Sequence, residues 1–307
     1  MHGPPDPDDA LAILRAVATP PTAPYHEQRV LAAIDTELTG LGLPSWTDGY
    51  GQVFTRVARG EARRALVLAA HTDHPAFEIV EADGAAGRAR ISGGLGGARG
   101  RQSAFARSVR AVVHHDDGRP PIRATLDDYV EDLDVANNSP GHVRVRAEGP
   151  LEAGQWAVLD LPALQVRGDE LRMAAADDLA GCALIVAALA RLRDEPRSFD
   201  VHAVFTRAEE TGLFGARLIA EDAAGGGGMV PRDAYVVSVE ASNAVYAPAG
   251  DGIVVRVGDL HNTFSNEAER YLRVAQERLA LADPPVRTQR RLLAGGTCEA
   301  SAFVRLG

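Results

Sequence analysis

The sequence contains no lysine, so arginine supplies all 32 of its basic residues. This absence excludes mechanisms that need a lysine, such as a P-loop phosphate site, a Schiff base or a Ser–Lys pair. The only two cysteines, Cys182 and Cys298, are too few for a disulfide framework and favour reduced thiols in a cytoplasmic protein. Aromatic residues make up only 5% of the chain, so we expect a core built mainly of alanine, valine and leucine.

The chain is acidic, with a formal net charge of −10. This charge argues against a nucleic-acid partner, because phosphate binding relies on basic patches. No apolar run approaches the roughly 20 residues of a membrane span, and the acidic, proline-rich start does not resemble a signal peptide. We expect a cytoplasmic protein that binds neither membranes nor nucleic acid.

Apolar spacing predicts α/β structure in both terminal parts of the chain. Helical spacing covers residues 8–18 and 26–41, and the wholly apolar run at 65–70 is typical of a parallel strand buried on both faces. After residue 174 the same alternation returns. It predicts helices at 181–192, 213–220 and 266–280, and strands at 201–205, 234–239 and 253–257.

The stretch between these parts differs in character. Over residues 75–170, short alternating segments are separated by glycine, proline and aspartate, which indicates a compact all-β unit. The glycine-rich tract at 92–100 is predicted to be a flexible loop without the strand-to-helix context of a phosphate site. We predict an α/β fold with a mixed, mostly parallel sheet flanked by helices and an inserted β-barrel-like domain. The catalytic domain would comprise residues 1–74 plus 171–307, and the insertion residues 75–170.

Two polar clusters lie where an open α/β sheet places its sites, beyond the carboxyl ends of strands. His71 and Asp73 follow the predicted strand at 65–70, so the histidine can ligate a metal while the aspartate acts at the metal or orients the ring. A polar loop would explain the same residues. Asp177 and Asp178 open a predicted helix, where aspartate also serves as an ordinary cap.

Two further acidic positions follow predicted strands. Glu209 and Glu210 could begin an exposed helix, or they could split roles, with one ligating a metal and the other moving protons. Glu240 ends an apolar strand, where an unpaired carboxylate is costly. Carboxylates combined with imidazole suit zinc, manganese or cobalt, whereas a thiolate-rich structural site would need more cysteines. Together the four clusters predict a metal site.

Four motifs carry a resemblance to a known family. They are His71-Thr-Asp73, the stretch 176–181, the stretch 208–216, and Gly295-Gly-Thr-Cys298. With these motifs the chain resembles the co-catalytic zinc aminopeptidases of the glutamyl-aminopeptidase, deblocking-aminopeptidase and endoglucanase-M type, over nearly its whole length. The resemblance implies a zinc-exopeptidase-like fold and a homo-oligomer whose insertion serves in subunit contacts and access. Related deacylases carry their second domain after the glutamate pair. In this chain the insertion comes before that pair, which favours the aminopeptidase branch.

Carried over motif by motif, the resemblance implies a site for two divalent ions, with zinc expected and cobalt or manganese as alternatives. His71, Asp177 and Glu210 would hold one ion. Asp177 would bridge to a second ion that Glu240 also ligates. Glu240 stands where the family more often has aspartate.

The same resemblance assigns the remaining acidic residues. Glu209 would be the general base, Asp73 would orient the imidazole, and Asp178 would help to set the backbone geometry of the bridging aspartate. Cys298 stands where the family often has aspartate. The implied function is a metal-dependent aminopeptidase that hydrolyses N-terminal residues of peptides. The alternatives are an amidohydrolase or deacylase of small N-acyl or peptide-like substrates, and an inactive homologue.

One element of the family pattern is missing from this sequence. The family supplies a second imidazole from a histidine near its C-terminus, but no histidine follows His261, which lies in a region the family does not use for ligation. We expect the sequence to be a C-terminally truncated version of a longer protein, with a weak second metal site and little activity in this form.

Overall fold

A computed structural model describes residues 7–57, 64–193, 200–225 and 228–306. The acidic, proline-rich start of the chain, residues 1–6, lies outside this described part. The helices are α1 (Pro7–Ala18), α2 (Gln28–Gly40), α3 (Ala98–Ala104), α4 (Ala176–Leu192), α5 (Phe214–Gly225), α6 (Asn266–Ala280) and α7 (Glu299–Leu306). The strands are β1 (Ser45–Thr47), β2 (Val53–Val57), β3 (Leu66–His71), β4 (Ala76–Asp83), β5 (Ala86–Ser92), β6 (Val109–His114), β7 (Ile122–Asp134), β8 (Ser139–Ala147), β9 (Trp156–Leu159), β10 (Leu164–Arg167), β11 (Glu170–Met173), β12 (Val201–Thr206), β13 (Tyr235–Ser238), β14 (Ile253–Arg256) and β15 (Thr288–Arg291).

Short apolar runs form a five-stranded mixed sheet with the order β1-β2-β12-β3-β13. Its central strand, β12, is buried at every residue, because a large core that includes α1, α2 and α4 and a smaller core that includes Ile219 of α5 pack around the sheet. Strand β3 runs parallel to β12 and to β13. Parallel strands end at the same edge of the sheet, and the register places Thr206 beside His71 there. The loops that leave this edge can therefore meet.

The chain between β3 and β10 forms a closed six-stranded barrel with the order β4-β5-β8-β7-β6-β9. All neighbouring barrel strands are antiparallel, and alternate side chains fill a separate apolar core around Phe77, Ile91 and Leu126. The predicted fold class, a mixed α/β sheet flanked by helices with an inserted barrel, is confirmed. The barrel strands run from Ala76 to Leu159. The division into domains at residues 75 and 170, and the role of the insertion, stay predictions.

The glycine-rich tract at 92–100 is not a loop throughout, since α3 begins at Ala98. The run Arg-Gly-Arg-Gln that follows Ala98 contains good helix formers, which offset the cost of the internal glycine. The helix ends at Ala104, and the next residue, Phe105, is 3% exposed and packs edge-on against Phe77 with ring centroids 5.7 Å apart. Anchoring by this ring is a tertiary contact that local spacing does not reveal.

Strands β14 and β15 pair in parallel as a separate two-stranded sheet. A cavity of about 800 Å³ is lined by residues of β13 and of β14, including Val237 and Val255, and reaches Glu240. In the described part of the chain, no helix combines the length and the apolar character needed to cross a membrane.

Substitutions in α4 test how strongly the main core stabilises the fold. Leu189 is fully buried in that core, so Leu189→Ala should lower the free energy of unfolding by about 2–5 kcal/mol through lost burial and a new cavity. Leu184 lies on the same helix but is 61% exposed, so Leu184→Ala should change it by less than about 0.5 kcal/mol. Urea denaturation of both variants measures the difference. Equal effects would contradict this packing.

Candidate metal centre

His71 is the last residue of β3, and its side chain is 1% exposed. The imidazole ring is held from one side. Its Nδ1 lies 3.1 Å from the carbonyl oxygen of Asp73 and 3.5 Å from that residue's carboxylate. Its Nε2 points the other way, 3.0 Å from Asp177 Oδ1 and 3.7 Å from Glu240 Oε2. An Nδ1–H that donates to the carbonyl leaves Nε2 free to ligate a cation among these acids.

The structure brings all of the predicted ligands together. His71, Asp177 and Glu210 each offer a ligand atom, and these atoms lie within 4.8 Å of one another. The same holds for the group of His71, Glu209 and Glu240. A third group joins Asp177 and Glu240 with Asp178.

Asp73 is fully buried, and its carboxylate accepts hydrogen bonds from two consecutive backbone amides. The N–H groups of Glu209 and Glu210 donate to its two oxygens at 2.9 and 3.0 Å. The sequence predicted that Asp73 acts at the metal or orients the His71 ring. In the structure it also fixes the backbone of the glutamate pair relative to the imidazole.

Glu27 is a buried support that sequence reasoning missed. It is 0% exposed, and its carboxylate accepts hydrogen bonds from Arg207 Nε at 2.8 Å and from the Ala208 amide at 3.0 Å. Ala208 has a positive φ of 54°, an uncommon conformation for a residue with a side chain. Glu27 therefore stabilises the turn that positions Glu209. No local pattern marks it, because Glu27 directly precedes α2 and lies 181 residues from Ala208.

Asp177 and Asp178 interrupt the regular start of α4. Their backbone angles, φ −90°, ψ 102° and φ −127°, ψ 31°, are not helical, and the peptide bond between them is cis. The Nδ1 of His74 donates to the carbonyl oxygen of Asp177 at 2.6 Å. Asp178 is 1% exposed, and its Oδ2 has no hydrogen-bond partner among the residues that the structure describes.

The inserted barrel also contacts the site, through Glu210. The Gly94 amide lies 3.4 Å from Glu210 Oε2, and Asn138 Nδ2 donates to the Glu210 carbonyl oxygen at 2.5 Å. At Gly93, whose φ is +94°, a Cβ would lie 2.9 Å from the Cβ of Glu210. Glycine at this position permits the close approach of the two loops.

Burial is the main influence on the ionisation of the glutamates. It raises the pKa of Glu210 to about 8, and it raises the pKa of Glu209 well above the ordinary value, with Glu240 and Glu210 adding to the shift. Burial also raises the pKa of Glu240. At a pKa of about 8, the Glu210 carboxyl is largely protonated at neutral pH when no cation is present.

The pKa values of His71 and Asp177 shift in the directions that favour an ion pair between them. Burial disfavours the charged form of His71, but the carboxylates of Glu209 and Glu240 outweigh it and raise its pKa well above the ordinary value. Burial likewise acts to raise the pKa of Asp177, yet the hydrogen bond from His71 and its charge lower that pKa to about 2. The proton on His71 thus occupies the position of a cation.

The donor set fits a divalent ion. One imidazole with several carboxylates is the chemistry of zinc, manganese or cobalt sites. Neither cysteine belongs to the three groups found in the described residues. The Cys182 thiol donates to the His71 carbonyl oxygen at 3.2 Å, and burial raises the pKa of this thiol well above the ordinary value.

Glu299 is a second buried acid that sequence reasoning did not identify. It begins α7, is 1% exposed, and accepts a hydrogen bond from Thr206 Oγ1. Its other oxygen, Oε2, has no partner within the described part of the chain. Burial raises the pKa of Glu299 to about 7. It follows directly after the Gly-Gly-Thr-Cys motif, which gave no signal for it.

The family model for M42 glutamyl aminopeptidases matches residues 144–307 of the chain. Among solved structures, the TET1 peptidase of Pyrococcus horikoshii is 18% identical, with a TM-score of 0.76 over 96% of this chain and 87% of that one. An aminopeptidase from the archaeon Desulfurococcus kamchatkensis is 19% identical, with a TM-score of 0.75 over 96% of this chain and 82% of that one. An endoglucanase from Thermotoga maritima is 15% identical, with a TM-score of 0.60 over 91% of this chain and 86% of that one. At such identities the likeness shows the fold. No curated protein matches the sequence.

We expect metal binding at this centre to release protons. A cation at Nε2 must displace the His71 proton, and Glu210, whose pKa is about 8, must lose its own proton to ligate. Both groups hold protons at pH 7 in the metal-free protein, so zinc affinity should rise with pH up to about 8. Calorimetric titration in buffers of different ionisation enthalpy counts the protons. Binding at pH 7 without net proton release would contradict the assignment.

Proposed function

The chain belongs to the M42 glutamyl aminopeptidase family, and on that premise we propose that it is a metal-dependent aminopeptidase. Its reaction would be hydrolysis of the bond after the N-terminal residue of a peptide. The observation that carries this proposal is the convergence of His71, Asp177 and Glu210, with ligand atoms within 4.8 Å of one another, beside the half-buried Glu209.

His71, Asp177 and Glu210 would hold one divalent ion, with zinc expected and cobalt or manganese as alternatives. Asp177 would bridge to a second ion that Glu240 also holds. Bound there, the ions would supply an acidified water and polarise the scissile carbonyl. The cluster of like charges supports this proposal, because a buried group of carboxylates needs a counter-charge beyond one imidazole.

Glu209 would accept the proton of the attacking water and pass it to the leaving amine. Its burial supports this role, since a raised pKa brings a carboxylate close to the operating pH of a general base. Asp73 would be a positioning residue, because its carboxylate holds the amides of both glutamates and its main chain contacts the His71 ring. This arrangement keeps the base and the ligands in one fixed geometry.

We expect Glu209→Gln to slow peptide hydrolysis by roughly 10²–10⁴-fold while metal content stays nearly unchanged. The amide cannot accept a proton, but it leaves the proposed ligands in place. Glu210→Gln and Asp177→Asn are the matched variants, and both should lower metal content as well as rate. The measurements are hydrolysis of an aminoacyl anilide and elemental analysis. A Glu209→Gln enzyme with more than half the normal rate would rule out this base.

A substrate panel tests the class of reaction. Unblocked peptides and aminoacyl anilides should be hydrolysed, whereas N-acyl amino acids should not. The opposite preference would identify an amidohydrolase or deacylase with the same metal chemistry. Inactivity on both, with metals bound, would indicate a homologue that keeps the fold without catalysis.

We also propose that the protein is a homo-oligomer that uses its barrel for subunit contacts. The P. horikoshii TET1 peptidase assembles into a tetrahedron or a large octahedral shell. In this chain the β7–β8 region of the barrel exposes three apolar side chains, Val130, Leu133 and Val135, by 58%, 71% and 79%. Exposed apolar surface supports this proposal, because contiguous apolar patches mark protein interaction sites.

Sedimentation velocity at micromolar concentration should show an assembly larger than a monomer. Leu133→Glu should shift it toward monomer, because a charge in the contact must be desolvated. Leu281→Glu is the matched control, since Leu281 is 87% exposed but directly follows α6, far from the barrel in sequence. A monomeric unaltered protein, or equal effects of the two variants, would refute this proposal.

A further inference from the structure

Two consecutive side chains before α2, those of His26 and Glu27, contact different parts of the molecule. Glu27 accepts a hydrogen bond from the Ala208 amide, in the turn that leads to Glu209. The His26 ring instead stacks on Trp156, the first residue of the barrel strand β9, with ring centroids 5.1 Å apart and an interplanar angle of 17°. The short segment before α2 therefore connects the barrel to the turn that carries the proposed base.

Trp156 gives the His26 ring a fixed surface on the barrel. The indole is 1% exposed and packs in a small core with Ala23 and Ala76. It also stacks against His114, the last residue of β6, with ring centroids 4.7 Å apart. A large aromatic side chain that is buried in this way has little freedom to move, so it holds the ring that stacks on it.

Asp116, in the loop after β6, joins the two rings. Its carboxylate accepts a hydrogen bond from Trp156 Nε1 at 3.0 Å and another from His26 Nδ1 at 2.8 Å. Beside it, the carbonyl oxygen of His115 accepts a hydrogen bond from Arg29 Nη2 at 2.7 Å. The Asp116 side chain is 58% exposed, so its ion pair with His26 contributes little, and the stacking on the buried indole is the stronger part of the contact.

Tyr25, the residue before His26, is held from the opposite side. Its φ of +71° is uncommon for a residue with a side chain, and such a conformation persists only where the surroundings determine it. Its N–H donates to Glu27 Oε1 at 2.9 Å, its carbonyl oxygen accepts from Arg207 Nη2 at 3.0 Å, and its hydroxyl accepts from Thr211 Oγ1 at 3.0 Å. Two of these partners lie in the same turn as Glu209, so the backbone that carries His26 is fixed to that turn.

We propose that His26 is a positioning residue for Glu209, which it holds from the barrel through Glu27. The inference rests on the proposed function in one respect, because it takes Glu209 as the general base. Without the stack on Trp156, the segment before α2 would shift, and Glu27 would no longer hold the Ala208 amide in one place. The base would then lie away from its productive position, and a displacement of about 1 Å from a remote change reduces a rate by up to about 10²-fold.

Steady-state kinetics on an aminoacyl anilide test this role. His26→Ala should lower kcat by about tenfold or more, while KM and metal content stay within about twofold of the unaltered protein. His114→Ala is the matched control, because it removes the other ring that stacks on Trp156 but belongs to the barrel strand β6. It should lower stability and leave kcat within about twofold. His26→Phe keeps the stack and loses the hydrogen bond to Asp116, so it should recover most of the lost kcat.

Amide hydrogen exchange tests the coupling without any catalysis. The backbone amides at 208–210 donate to buried carboxylates in the unaltered protein. Exchange at these amides should be faster by about tenfold in His26→Ala and within about twofold of the unaltered protein in His114→Ala, because only the first variant releases the segment that holds the turn. Circular dichroism shows whether each variant is folded at the temperature of the measurement.

The outcomes separate this inference from the proposed function. Unchanged exchange at 208–210 in His26→Ala, an unchanged kcat of this variant in an active enzyme, or equal effects of His114→Ala would overturn the positioning role. The proposed base would still stand, since Glu209→Gln tests it separately. If exchange rises in His26→Ala but the unaltered protein hydrolyses no peptide, the proposed function fails and the coupling of the barrel to this turn remains.

Discussion

The burial of carboxylates around a single imidazole is the constraint on which this structure depends. Glu209, Glu210 and Glu240 reach the same space as His71 from the ends of two strands that flank β3, and the two aspartates reach it from the start of α4. One positive charge cannot balance so many buried negative charges. Burial, with the neighbouring acids, raises the pKa values of the glutamates, so that protons offset part of this charge in the metal-free protein. An ion that binds here would replace these protons.

A second layer of polar contacts keeps these acids from moving apart. The carboxylate of Asp73 holds two backbone amides, and Glu27 holds the turn just before them together with Arg207. Each of these supports is itself fully buried, so its hydrogen bonds are not weakened by competing water. Like charges would otherwise widen the site. The fold thus stabilises a ligand geometry that the charges alone would oppose.

Much of the fold could be predicted because its elements have regular spacing. The buried strand at 66–71, the central strand at 201–206 and helix α6 all follow from apolar runs or helical periodicity, and acids at strand ends indicated the site. The supports could not be predicted in this way. Glu27 and Glu299 act on residues 181 and 93 positions away, and a single glutamate carries no periodic signal. The Asp177–Asp178 pair was ambiguous, since only the three-dimensional structure shows the non-helical backbone and the cis peptide bond at these residues.

The barrel contacts the site through Glu210, so the proposed ligation by this residue depends on the barrel as well as on the sheet. Glu210 is touched by the Gly94 amide at its carboxylate and by Asn138 at its carbonyl oxygen, and both partners belong to the barrel segment. The carboxylate is polarised by an amide whose position depends on the barrel, while the backbone is fixed from the sheet by Asp73. A shift of the barrel loops would change the hydrogen bonding of Glu210 without moving His71, which the sheet holds. In the proposed oligomer, a subunit contact of the barrel would therefore act on the proposed metal centre through Glu210, which contacts both parts of the chain.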